Sequence, residues 1–369
     1  MIIGIDASRA NQSAKTGTEW YSQVLLEQFA KLDQTNQYKL YVKNPPNPDL
    51  FKFGENFEVK PLKWPISRFW HQGRISLEML FKQPDVLFVP AHTIPLIHPT
   101  NTVTTCHDIG FVHFPELYSK SELSYHRWSM QQAIKKAKKI ITVSNFTKEE
   151  IVKVYKTDPT RIEVIHHGID LEYFSPRNES EIEQVKNRYK ISQPYLFFIG
   201  RIEKKKNIIN QIKAFEIAKE KYNISHQLVL GGNPGFGFEE INKAITESKF
   251  KKDIKLIGYV ESADLPTLYS GADLFLFVTN YEGFGMPVLE AQACQTAVIG
   301  SDVCSIPEVG GQGISLVSPD HLTEIAEAIH QVISNKNFQE QLISKGLTNC
   351  SQFSWSVTAQ RTLDILLKI

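Results

Sequence analysis

Short apolar runs bounded by polar or glycine-rich turns recur along the chain. Ile2–Ile5, Tyr38–Val42, Val86–Val89, Val103–Thr105, Ile140–Val143 and Ile162–Ile165 are such runs in the first half. Tyr195–Ile199, Gln227–Leu230, Ile254–Val260 and Leu274–Val278 are their counterparts in the second. Runs of this length read as strands buried on both faces. Helical patterns lie between several of them, beginning with the amphipathic stretch Trp20–Leu32. Alternating strands and helices predict an α/β protein with mostly parallel sheet and helices on both faces. Asn44–Asp49 is rich in proline and reads as a loop; Asp158-Pro159 and Pro176 place turns between the two series. At the end of the chain, Phe353-Ser-Trp355 starts a helix with Trp355, Ala359, Leu363 and Leu366 near one face.

The run Leu274–Val278 leads into Tyr281-Glu-Gly-Phe-Gly-Met-Pro-Val-Leu-Glu290. Gly283 and Gly285 keep this turn thin, so backbone N–H groups come close to a ligand. Pro287 suits the first position of a helix, where its missing N–H costs nothing. Strand, glycine turn and helix start together form an anion site, because free amides and the helix dipole both favour phosphate. Glu282 lies on the loop and Glu290 inside the helix; a carboxylate accepts hydrogen bonds from the hydroxyls of a sugar or a ribose. Taken alone, the turn reads equally well as a tight connection with two solvated glutamates. Tyr195–Ile199 is followed by Gly200-Arg201 and by Lys206-Asn207 at a helix start. Cations placed there neutralise a pyrophosphate leaving group without a metal. Lys204 and Lys205 read as plain surface residues of the same turn. Cys106-His107-Asp108 sits just past Val103–Thr105, where open α/β sheets gather ligands; a lone histidine after a strand is more often structural.

Composition narrows the class. The 369 residues suffice for two domains, and 42% hydrophobic with 22% charged residues is the balance of a soluble globular protein. A net charge of +1 gives no general reason to invoke nucleic acid. Cys106, Cys294, Cys304 and Cys350 form no Cys-x-x-Cys pair, which fits reduced thiols in a cytoplasmic protein. Met1 leads directly into Ile2–Ile5 without a basic leader, and no run approaches the roughly 18 apolar residues of a membrane span. No Gly-x-Gly-x-x-Gly follows Ile2–Ile5 or Gln227–Leu230, which weakens a nicotinamide cofactor. No spacing resembles a zinc set, so neither cofactor nor metal is expected. The lysines of Ala133–Lys139 suit the dipole of a helix end. The alternative is a peripheral contact with anionic lipid head groups on the inner face of a membrane; the first reading is favoured.

Glu282-Gly-Phe-Gly-Met-Pro-Val-Leu-Glu290 resembles the Glu-x7-Glu signature of family 4 glycosyltransferases, group 1 glycosyl transferases that are retaining and have the GT-B fold. His107-Asp108, the Arg201 and Lys206 set, and His166-His-Gly-Ile-Asp170 resemble that family's active-site histidine, diphosphate clamp and interdomain turn, in the expected order. The resemblance spans nearly the whole chain. It implies two Rossmann-like domains facing across a cleft: 1–174, with a crossover helix 353–369, for the acceptor, and 175–352 for the nucleotide sugar. It implies metal-independent transfer of a sugar, with retention, from a nucleotide diphosphate sugar to a glycan, lipid-linked or small-molecule acceptor. His107, Glu282, Arg201 and Lys206 then carry the chemistry. Gly17, Gly258, Tyr259, Gly283, Phe284, Gly285, Met286, Pro287, Val288 and Glu290 hold the donor. The missing Asp-x-Asp pair agrees with a cationic clamp. In the loop after Ile2–Ile5, with Asp6, Ser8, Thr16 and Gly17, the chain keeps one glycine of the family's loop and departs at Thr18 and Glu19. Before Asn280 it has Val278-Thr279 where the family more often has Pro-Ser, and Thr279 retains a hydroxyl. Ser67–Met79, with Arg68, Trp70, His71 and Arg74, lines an acceptor groove or covers the sheet edge; the second reading is favoured. The rivals are a nucleotide-sugar epimerase or phosphorylase of the same fold, or an inactive nucleotide-sugar-binding partner subunit. No pyridoxal lysine motif supports the phosphorylase.

Overall fold

Two all-parallel sheets carry the chain, and each belongs to its own unit. The computed structural model describes residues 1–12, 15, 17–65 and 69–369; Thr16, Ser67 and Arg68, named above, lie outside them. One unit comprises residues 1–168 and 354–369, the other 169–353. In the first unit the strands are β1 (Ile2–Asp6), β2 (Gln37–Val42), β3 (Phe57–Pro61), β4 (Val86–Val89), β5 (Thr102–Cys106), β6 (Lys139–Thr142) and β7 (Ile162–Val164). Their order is β3-β2-β1-β4-β5-β6-β7. In the second they are β8 (Tyr195–Ile199), β9 (Gln227–Gly231), β10 (Ile254–Gly258), β11 (Leu274–Phe277), β12 (Val298–Ser301) and β13 (Ser315–Val317). Their order is β10-β9-β8-β11-β12-β13. Both sheets therefore reverse direction of growth beside their first strand, between β1 and β4 and between β8 and β11. Such a reversal opens a crevice at the carboxyl ends of the two strands.

The central strands are buried along their length, as Val86–Val89 and Leu274–Phe277 show. Helices on both faces impose this, and it is why these strands read as unbroken apolar runs. Strand β3 escaped the sequence reading for the opposite reason. It pairs with β2 at the sheet edge, and its Glu58, Lys60 and Pro61 break the apolar run. The segment Ser67–Met79 reaches that edge through Glu78, whose carboxylate pairs with Lys60 of β3 at 3.2 Å. Its described part forms a π-helical turn, His71–Ile75, and a helix, Ser76–Phe81. Trp70, Ile75 and Met79 pack with Tyr41, Leu87 and Val89, on the face of β2 and β4.

The last helix, Trp355–Lys368, buries Ala359, Leu363 and Leu366 with Tyr21, Leu25, Leu26 and Phe29 of the first helix, Gly17–Leu32. Thr358 donates its hydroxyl to the His166 carbonyl at 2.7 Å. Gly168 is required here, since a Cβ on it would lie 2.0 Å from the Trp355 nitrogen. The stretch after Gly168, placed with the first domain on sequence grounds up to 174, belongs to the second unit. Ile169 N–H bonds the Phe353 carbonyl, Tyr173 bonds the Ser262 carbonyl, and Arg177 N–H bonds the Ser270 hydroxyl. Among the described residues no helix is long and apolar enough to cross a membrane. All four cysteines are free thiols.

Candidate active site

Both motifs of the second unit emerge at the crevice between β8 and β11. Past β8 the chain turns through Gly200, at φ +149°, to Arg201 and the 3-10 turn Lys204–Lys206. Past β11 it runs through Glu282 to the helix Met286–Ala293. Asn280 N–H donates to the Lys205 carbonyl at 3.1 Å and so ties the two loops together. Across them the Lys206 ammonium pairs with the Glu282 carboxylate, each side chain 14% exposed. The Lys206 nitrogen also lies 5.7 Å from the centre of the Phe277 ring. The backbone holds this lysine in place. Gln211 donates to the Lys206 carbonyl at 2.8 Å, and Asn207, in the left-handed region, anchors to the Pro319 carbonyl at 2.8 Å. Lys205 is not the loose surface residue expected, for it is 15% exposed and lies 3.9 Å from Glu203.

Arg201 is exposed, but its stem leans on the loop after β9. A Cβ on Gly235 would come within 2.8 Å of the Arg201 Cγ. One on Gly232, at φ +133°, would come within 1.8 Å of the Gly200 carbonyl oxygen. These glycines read in sequence only as another strand-to-helix loop. They are the wall against which the Arg201 loop is laid.

Gly285, at φ +100°, precedes the helix Met286–Ala293. The N–H groups of such a first turn have no intrahelical acceptor and present positive charge to a ligand. Ser305, wholly buried, donates to the carbonyls of Glu282 and Phe284, both at 2.8 Å, and so fixes the glycine turn from behind. No local pattern marked Ser305, because its contact comes from the distant β12 loop. The Phe284 ring is buried and meets Phe353 edge-on at 6.0 Å, so its side chain is committed to packing. Val288 lies in the core, and its N–H is given to the Gly285 carbonyl at 3.0 Å; it serves packing. Met286 and Pro287 stay partly exposed.

Glu290 accepts a 2.7 Å hydrogen bond from the buried Tyr269 hydroxyl. Burial pushes its carboxyl up to about 7, against the opposing pull of that bond. At the end of β10, Gly258 has φ +69° with open space beside it, and Tyr259 is 57% exposed. Gly232 N–H donates to the Gly258 carbonyl at 2.7 Å.

His107 and Gly17 belong to the first unit. His107 sits past β5, and its Nε2 lies 3.0 Å from the Pro90 carbonyl, past β4. A carbonyl accepts only, so the proton of the neutral ring is on Nε2 and Nδ1 keeps its lone pair. Burial pushes the imidazole down to about 4; the Pro90 carbonyl works against this and the Arg9 charge adds to it. His107 is therefore neutral at pH 7. Tyr21 packs edge-on against it at 4.8 Å. Gly17 opens the first helix, and a Cβ there would meet nothing within 4 Å, so the backbone does not demand glycine. Glu19, where the chain leaves the family's loop pattern, pairs with Arg9 at 2.7 Å.

The sequence profile of glycosyl transferases group 1 matches residues 179–348, and that of Glycosyltransferase Family 4 matches residues 16–173. O-antigen chain mannosyltransferase B of Escherichia coli is 31% identical over 263 residues, which cover 71% of this chain and 69% of that protein. The chain is a family 4, group 1 glycosyl transferase. The transferase is also 27% identical over 274 residues to the O-antigen chain mannosyltransferase RfbU of Salmonella typhimurium, covering 74% of this chain and 71% of that one. Its fold is shared over 100% of the chain with sucrose-phosphate synthase from Thermosynechococcus elongatus. There the TM-score is 0.78, at 17% identity, over 98% of that protein. Anabaena HepE, solved in complex with UDP and glucose, matches with TM-score 0.76 and 17% identity over 100% of this chain and 99% of that one. Both units of the transferase are thus the Rossmann-like units of the GT-B class.

Proposed function

We propose that the transferase moves a hexose, with mannose as the first candidate, from a nucleotide diphosphate sugar to a glycan or lipid-linked acceptor. The anomeric configuration is kept, and the product belongs to a cell-surface polysaccharide. The observation that carries this reading is the Lys206–Glu282 pair at the β8/β11 crevice, beside the first turn of Met286–Ala293. Two named relatives support the sugar and the setting, both being O-antigen chain mannosyltransferases.

In this reading the bond from the sugar's C1 to the diphosphate oxygen breaks, and charge gathers on the leaving diphosphate. Lys206, Arg201 and the amides of Gly285 and Met286 meet that charge, in a site already arranged to receive it. The acceptor hydroxyl attacks from the same face, and its proton passes to a leaving phosphate oxygen. Glu282 turns from Lys206 to the hydroxyls of the reacting sugar. His107 accepts a sugar hydroxyl at Nδ1, and Gly258, Tyr259 and Glu290 hold the nucleoside, Glu290 through ribose hydroxyls. With two cations assigned to the leaving group, no divalent metal is required. Turnover is expected to survive EDTA; loss in EDTA with recovery in magnesium contradicts this part.

Thermal denaturation against GDP-mannose, UDP-glucose and UDP-N-acetylglucosamine tests the donor. A ligand at 100 times its dissociation constant adds about 2.7 kcal/mol. GDP-mannose is expected to raise the Tm most, and the absence of a shift with all three removes the reading.

The position of Glu290 makes donor affinity depend on pH. Its carboxyl is raised to about 7 in the free protein, so it is mostly protonated at pH 6 and mostly ionised at pH 8. The carboxylate offers both oxygens to the two ribose hydroxyls and binds them more strongly than the neutral acid, one of whose oxygens carries a proton. The donor KM is therefore expected to fall about tenfold from pH 6 to pH 8, following the competent fraction. Glu290→Gln flattens that profile and raises KM at pH 8, with a modest loss of kcat. A profile unchanged by this substitution counts against the ribose role.

We propose in addition that the transferase meets anionic lipid through the helix Lys120–Lys136. Lys120, Arg127 and Trp128 border a surface depression on this helix, and Lys135 and Lys136 are exposed at its end. Co-sedimentation with phosphatidylglycerol vesicles, lost in high salt, is the expected result.

A further inference from the structure

The crevice of the first sheet, between β1 and β4, holds a pair of side chains that the reading above leaves unused. Asp6 ends β1 and is 4% exposed. One of its oxygens accepts the Ser8 N–H at 3.0 Å, and the other lies 2.9 Å from the His71 Nε2. His71 comes from a different part of the chain, the π-helical turn His71–Ile75. π-Turns are rare and gather at functional sites. Phe69, just before it, is held at φ +60°, a conformation that bulky residues rarely adopt. Trp70 packs edge-on against the imidazole at 5.0 Å and is itself anchored to the Leu62 carbonyl at 2.8 Å. The ring is thus clamped on two sides at the point of the sheet where ligands bind.

A carboxylate accepts and does not donate, so the Asp6 bond keeps a proton on Nε2. The other Asp6 oxygen already accepts the Ser8 N–H, so Asp6 is held as the acceptor of the pair. In the neutral ring Nδ1 then carries the lone pair, and Nδ1 has no hydrogen-bond partner among the described residues. The side chain is 31% exposed. A core histidine satisfied by one carboxylate does not need an open second nitrogen at a strand-end crevice.

We infer that Asp6 and His71 form a hydroxyl-binding subsite for the acceptor, in which His71 Nδ1 accepts a hydrogen bond from a sugar hydroxyl and Asp6 orients the ring. Asp6 is a positioning residue here. The inference names the acceptor's site on the first unit and rests on the glycosyl-transfer reading for the identity of the ligand.

Two measurements test it. The first uses protein carrying ¹⁵N-labelled histidine, with the His71 signals assigned by their loss in His71→Gln. Methyl α-mannoside, methyl α-glucoside, methyl α-galactoside and methyl α-N-acetylglucosaminide are titrated in without donor. A saturable shift of the His71 Nδ1 signal with at least one of them is expected, and no shift with all four overturns the inference. The second uses GDP-mannose and whichever glycoside wild type glycosylates. His71→Phe should raise the acceptor KM about tenfold, the scale of one lost hydrogen bond, with the donor KM unchanged. Asp6→Asn should raise it too, and His71→Gln, which keeps an acceptor atom, should recover part of the loss. Equal damage to both KM values, or an acceptor KM within about twofold of wild type, assigns the pair to folding alone. If wild type glycosylates none of the four, its acceptor is larger than a methyl glycoside, and the titration alone decides the subsite.

Discussion

Lys206→Ala is expected to lower kcat by about 100- to 1,000-fold, the usual cost of removing one preorganised charge from a developing anion. Several groups cooperate to place this ammonium. The chain turns through Gly200 and Asn207, Gln211 grips the Lys206 carbonyl, and Glu282 holds the charged end. Its charge is needed most when the diphosphate leaves, so the loss falls on kcat more than on donor KM. Folding stability should change less. The substitution leaves Glu282 without that partner, but at 14% exposure the carboxylate still reaches water. Steady-state kinetics beside thermal denaturation separates the two. Turnover near wild type removes the clamp from the account.

Glu282→Gln is expected to produce the second-largest loss, again mainly in kcat. Ser305 pins the carbonyls on either side of the glycine turn, so the Glu282 side chain is delivered to one place. Glutamine keeps the shape and one acceptor oxygen but loses the charge that pairs with Lys206. Because Glu282 turns to the sugar while Lys206 meets the diphosphate, the losses in the double variant Lys206→Ala/Glu282→Gln should approach the product of the single losses. A double variant no worse than Lys206→Ala alone would show that Glu282 acts only by holding Lys206. Glu290→Gln supplies the contrast. Its contact is to a part of the donor that does not change during reaction, so it acts on KM.

Which parts of this were legible in the sequence follows from the distances involved. The central strands were legible, because parallel strands covered on both faces must be apolar throughout. Strand β3 was not, since an edge strand carries charge and proline. The glycine turn at Tyr281–Glu290 and the cations at Arg201 and Lys206 were legible as motifs beside strands. Their meeting across β8 and β11 is a consequence of sheet order, which no local pattern states. Ser305 behind the turn, Gly235 beneath Arg201 and Tyr269 against Glu290 all act over long chain separations. The same holds for His71. Its segment looked like cover for a sheet edge, and only the fold brings its ring to Asp6. Val288, carried along with the motif, turned out to face the core, because a helix start has one side for ligand and one for packing.

The central claim is transfer of the donor sugar with its configuration kept. The direct measurement is NMR of the product formed from GDP-α-mannose labelled with ¹³C at C1, using the glycoside acceptors above and following the labelled anomeric carbon. An α-linked product that appears in step with released GDP is the expected result. A β-linked product, or GDP binding with no transfer to any acceptor, would contradict it.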